Sequence, residues 1–215
     1  TVRIQTVNAG TLGVSGMLEF VSGTTSKGTS GTIVLNSGAA TNGKGGNIEL
    51  SVGTGTTADG GSVVLVSGDS TAASGGTGGS ISVTTGSGVA TSSGSLVLRT
   101  INSGTSAVSG TLLFSSGTTS SGSSGKITVQ TGAATAGYGG DVILSVGSSS
   151  TDVGGNVLAT SGTSTPLTGG AISFSSGEGT AKSSGSITLR SADAGTNGVS
   201  GTLSFVTGTT SSGSS

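Results

Sequence analysis

The chain has 215 residues, 45 of them Gly, with no His, Cys or Trp, and seven cationic against eight acidic side chains for a net charge of -1. That composition excludes a basic nucleic-acid footprint, a Ser–His or Cys–His nucleophile and an ordinary zinc site. No apolar run approaches the roughly 20 residues that span a membrane, so the open question is whether so much Gly, Ser and Thr is a flexible linker or an ordered repeat.

Order along the chain answers for a repeat. Cutting after each Gly that precedes an alternating apolar run gives fourteen pieces, starting at Thr1, Met17, Thr32, Asn47, Ser62, Ser80, Ser95, Thr111, Lys126, Asp141, Asn156, Ala171, Ser186 and Thr202. They are numbered here 1 to 14, and residues are placed by their position within a piece. Most pieces have 15 residues; pieces 1, 7 and 13 have 16, and piece 5 has 18. "TIVLNSGAATNGKGG" (32–46) and "KITVQTGAATAGYGG" (126–140) show the pattern: an alternating start, Ser or Thr before Gly, small residues, then a closing Gly.

Position 2 is Val, Leu or Ile throughout, and position 4 is apolar and large everywhere except at Ala159. All four Phe of the chain, Phe20, Phe114, Phe174 and Phe205, occupy position 4. A period of two predicts a strand with one buried face. Positions 2 and 4 would face in, and positions 1, 3 and 5 out, with Arg3, Glu19, Glu49, Arg99, Lys126 and Arg190 among them. A longer period lies above the first: piece 1 matches 7 and 13, piece 2 matches 8 and 14, and pieces 3 and 4 match 9 and 10.

A strand with one apolar face needs stacked copies to cover it. The expectation is an all-β fold: a single-stranded parallel β-helix (β-solenoid) of about 15 residues per coil with a six-coil superrepeat. It would run through residues 1–215 as one continuous solenoid, a fragment of a longer array because the pattern is unbroken at both ends. An antiparallel sandwich is the weaker alternative. Fourteen coils at about 4.8 Å would make a rod of roughly 67 Å. The Gly/Ser/Thr segments would form a thin wall facing the Ile/Leu/Phe wall. Gly at position 7 and at the coil end would take positive φ at the corners. Inward Ser and Thr at position 6 would form hydroxyl ladders, interrupted by Val52 and Val146. Gly10, Gly104 and Gly195 would mark a bulge once per superrepeat.

No catalytic, cofactor-binding or metal-binding residue is expected. The acids are scattered singly, and Asp59 and Asp152 read as solvated turn residues rather than as a carboxylate pair. "TNGKGG" (41–46) lacks the spacing and the following helix of a phosphate loop, and Asp is too sparse for a calcium-binding roll. The candidate contact surface is the outward apolar stripe at position 3, Val34, Val64, Val97, Leu113, Ile143 and Leu158, which would serve self-association or other fibre proteins. Exposed Ser and Thr are candidate sites for O-glycans.

The repeated unit, as in "SITLRS", "TLLFSSG" and "KITVQTG", resembles the giant repetitive Gly/Ser/Thr-rich parallel β-solenoid proteins of extracellular fibres, mastigoneme-like flagellar hair shafts or adhesins. The resemblance spans the whole chain. It implies an extracellular or cell-surface structural protein, not an enzyme, that builds a stiff filament, stalk or shaft by coil stacking and lateral association. The alternative is a surface adhesin or an ice-binding β-solenoid.

Overall fold

Each piece begins with an extended arm, and the alternation of branched apolar residues explains why: β-branched side chains disfavour helix and suit an extended backbone. The computed structural model describes residues 1–105 and 107–210. Ser106 and residues 211–215 lie outside them. Among the described residues there is neither helix nor strand. The expected all-β parallel β-helix is therefore corrected: the arms are extended but carry no ladder of hydrogen bonds to one another.

The fifteen-residue period is nevertheless written into the backbone. Sharp bends fall at 26–28, 41–43, 56–58, 89–91, 120–122, 135–137, 150–152, 165–167 and 180–182, which is positions 10–12 of every 15-residue piece from 2 to 12. At four of these nine bends a hydroxyl at position 9 holds the turn, while at the other five position 9 is Ala or Gly. Thr25 accepts from Lys27 N–H at 3.3 Å and donates to Lys27 O at 2.8 Å, and Thr119 does the same with Ser121. Ser149 accepts from Asp152 N–H at 2.9 Å, and Ser164 from Leu167 N–H at 3.1 Å. A short hydroxyl side chain bonded to backbone two or three residues on is a turn-forming device. Apart from Val153 N–H bonding Asp152, every side-chain hydrogen bond among the described residues uses a hydroxyl at position 9.

After the bend the chain returns to close a loop upon itself. Gly94, Gly170 and Gly185 at position 15 donate to the carbonyls of Gly86, Gly162 and Gly177 at position 7 of the same piece, at 2.9 Å. The closing Gly lies against the residue at position 6. A Cβ placed on it would meet Ser or Thr side-chain atoms at 3.2–3.5 Å, as Gly31 would meet Ser22 and Gly125 would meet Ser116. Against Val52 and Val146, at Gly61 and Gly155, the same Cβ would come within 2.6 and 2.5 Å. Longer pieces keep this contact and place their extra residues inside the loop: Gly16 still meets Thr6, Gly110 meets Thr100, Gly201 meets Ser191, and Gly79 donates to Gly68 O at 2.8 Å across the enlarged loop of piece 5.

Four sequence expectations change accordingly. Position 6 hydroxyls form no ladder between pieces, because each faces its own closing Gly. Positive φ falls at the bend, at Gly28 (105°) and Gly122 (110°) in the matching pieces 2 and 8, and also at Gly75 and Gly137, not at position 7 or the piece end. The extra residue of pieces 1 and 13 makes a hydrogen-bonded turn inside the loop, Gly13 N–H to Gly10 O and Gly198 N–H to Gly195 O, rather than a bulge, which needs a paired strand. In piece 7 the Ser103 hydroxyl donates to Ala107 O at the same place.

The fourth correction is the core. The accessible surface is 21178 Å²; a folded chain of 19.8 kDa would expose about 8,600 Å² and a fully extended one about 28,700 Å². No described residue is buried. Phe20 and Phe114, expected to line the interior, are 66% and 63% exposed. The chain divides into two units, Thr1–Gly110 and Thr111–Ser215, and the division falls between pieces 7 and 8.

If the contact at position 6 closes the loop, Gly155→Ala opens piece 10, because Val146 is stiff at χ1 and one of its methyls always faces the glycine. Gly125→Ala, opposite a Ser, keeps piece 8 closed. Nuclear Overhauser contacts between position 6 and the closing residue are the measurement, and Val146→Ser in the Gly155→Ala background brings them back.

Candidate functional site

The structure offers exposed apolar arms rather than a pocket lined with chemistry, so the candidate site is built from those arms. The position 3 residues Val34, Val64, Val97, Leu113, Ile143 and Leu158 are all exposed, from 71% at Val97 to 84% at Leu158. They do not form a stripe opposed to a buried face, since positions 2 and 4 are exposed as well. A remnant of the alternation survives: in piece 3, Ile33 at position 2 is 59% exposed and Val34 beside it 72%. The cause is local. Position 2 follows directly after the closed loop of the preceding piece.

Val146, at 45%, is the most shielded of the exposed large apolar residues, followed by Val52 and the position 2 residue Ile48, both at 48%. Among the few half-buried residues are Thr6, Ser67 and Ser191, again at position 6. Position 6 is therefore the nearest thing each piece has to an interior. Sequence reasoning had marked that column as inward; the neighbour that shades it, the piece's own closing Gly, was the part missed. The recurring spacing of nine residues between Ser or Thr and Gly was the available signal.

Within the unit Thr111–Ser215 the arms on either side of one closed loop frame an open cleft of about 520 Å³, lined by Ser173, Phe174, Ser175, Ser186, Ile187 and Leu189. The loop between them is closed by the Gly185–Gly177 hydrogen bond. Phe174, at position 4 of piece 12, therefore sits across from positions 2 and 4 of piece 13, as two legs of an open hairpin sit. The cleft carries two hydroxyl-bearing sides and one aromatic face, and no titratable group.

The two singled-out acids stay apart from any such cleft. Asp152 accepts from its neighbour Val153 N–H at 2.8 Å, while its own N–H goes to Ser149, which makes it part of a bend. Asp59 belongs to the loop of piece 4, where its carbonyl oxygen and that of Ala58 crowd the space beside Gly55. Among the described residues no three His, Cys, Asp or Glu side chains are grouped closely enough to hold a metal ion, and no helix is long and apolar enough to cross a membrane.

Comparison with family models, curated proteins and solved structures finds no match to this chain. The functional reading accordingly rests on the residues themselves.

Hydroxyl-radical footprinting of dilute protein measures the exposure pattern directly. Phe20, Phe114 and Phe174 are expected to label readily, as does the fully exposed Tyr138. Strong protection of the Phe residues relative to Tyr138 and Leu113 would restore an inward face and overturn this description.

Proposed function

We propose that this chain is a structural segment of an extracellular or cell-surface fibre, and that its repeated apolar arms are covered by association with further copies of itself or with other fibre proteins. One observation carries the reading: large apolar residues at positions 2 and 4, joined by position 3 in six pieces, are exposed in piece after piece, in a chain whose surface is more than twice that of a folded protein of its mass. Exposed contiguous apolar surface marks a contact site, and here it is distributed along the repeat rather than confined to one patch. Repetition favours assembly, because each added piece contributes the same small contact and the contacts act together.

Burial of one Val, Leu, Ile or Phe side chain contributes about 1.5–3 kcal/mol. Two such positions in nearly every piece, with a third in six of the fourteen, outweigh anything the sparse charges could supply, since exposed ion pairs contribute about 0–1 kcal/mol each. The driving force is apolar, so it strengthens on warming from the cold and is largely indifferent to salt. The sequence supports a mechanical role in a second way: without His or Cys, and with acids spread singly, the chain brings no evident set of catalytic groups.

Sedimentation of the purified chain over a range of concentrations tests the proposal. The expected outcome is a mass that grows with concentration, persists in high salt and falls on cooling. Replacing one exposed aromatic of the arms, Phe114→Ser, should raise the concentration needed for assembly by about ten-fold or more. A chain that stays monomeric throughout this range sinks the proposal.

A further inference from the structure

Seven Asn residues occur in the chain, and two of them, Asn42 and Asn197, precede Gly. Both lie in bends, yet the two following amides differ. Gly198 N–H donates to Gly195 O at 3.1 Å. For Gly43 N–H no acceptor lies within hydrogen-bond reach among the described residues. Gly43 also stands in open space: an added Cβ would meet nothing within 4 Å, and its φ lies outside the left-handed region. Asn42 itself is exposed at position 11 of piece 3. In the matching piece 9 the position is Ala136, so the feature belongs to one copy of the superrepeat only.

We infer that Asn42–Gly43 is a site of spontaneous imide formation and deamidation, faster than Asn197–Gly198 because the Gly43 amide is free to attack. Solvent base removes the Gly43 amide proton, and the nitrogen attacks Asn42 Cγ. The new N–Cγ bond forms as the Cγ–Nδ2 bond breaks, and ammonia leaves carrying the proton. Water then opens the cyclic imide at one carbonyl or the other, giving Asp or an isoaspartyl linkage, with no net oxidation or reduction. The absent Cβ lets the backbone nitrogen approach, and neither a paired strand nor a buried surface holds it back. Each event adds one negative charge to a chain of net charge -1. The isoaspartyl product also lengthens the backbone inside the bend of piece 3 and leaves the apolar arms intact.

The experiment incubates the full chain at mildly alkaline pH and follows peptides 28–44 and 191–215 by mass spectrometry, scoring the exchange of NH₂ for OH and the isoaspartyl isomer. Asn42 is expected to react about five-fold faster than Asn197, the factor that one ordinary backbone hydrogen bond supplies. In concentrated urea the two rates should converge. Gly43→Ala, which the open space tolerates, should slow the reaction at Asn42 to that of Asn36–Ser37 in the same peptide. Equal rates in buffer, a difference that persists in urea, or an unreacted Asn42 would each overturn the inference.

Discussion

The contact between position 6 and the closing glycine organises this chain. Closing a nine-residue loop costs about 2 kcal/mol of chain entropy before any constant is added, and one backbone hydrogen bond returns about 0.5–1.5 kcal/mol. The balance is close, so small local terms decide whether a piece closes. The hydroxyl at position 9 shapes the bend, and the missing Cβ at position 15 lets the returning chain lie against Ser, Thr or Val. Neither term is large; the closing Gly recurs in piece after piece, whereas the hydroxyl is present at only some of the bends. Insertions confirm which element is held constant: pieces 1, 7, 13 and 5 enlarge the loop and keep the closure.

That closure also explains why the apolar residues stay exposed. Once position 15 is beside position 6, the next arm must leave from there and cannot lie on the start of the previous arm. Phe174 consequently shares one open cleft with Ile187 and Leu189 of the following arm, on the far side of its loop. A single chain built in this way has apolar arms and no opposite wall to cover them. The proposed association would supply that wall, and this is how the local geometry bears on the proposed structural role.

Much of the local design was legible in the residues. The period and the extended start of each piece follow from patterning, since side-chain size and branching act on the backbone nearby; the small residues, read as a thin wall, close a loop instead, and the position 6 hydroxyls, read as ladders between coils, face the closing Gly of their own piece. The six-piece superrepeat also has a structural counterpart, in the matching left-handed glycines Gly28 and Gly122 and in the matching turns after Gly10 and Gly195. The coil was not legible. A Gly after Ser or Thr is equally compatible with a corner that carries the chain onward and with a contact that turns it back. The candidate stripe at position 3 was legible as apolar and exposed, but its contrast with positions 2 and 4 depended on the coil and disappeared with it.

The sequence by itself determined where the backbone extends, where it bends and which residues recur at each place, because those depend on neighbours within a few bonds. Only the tertiary structure decided what each arm lies beside. A period states that equivalent residues return every fifteen positions; it does not state whether they return to one another. Here the glycine of each piece meets its own position 6, and that one choice of partner separates an open series of closed loops from a stacked core.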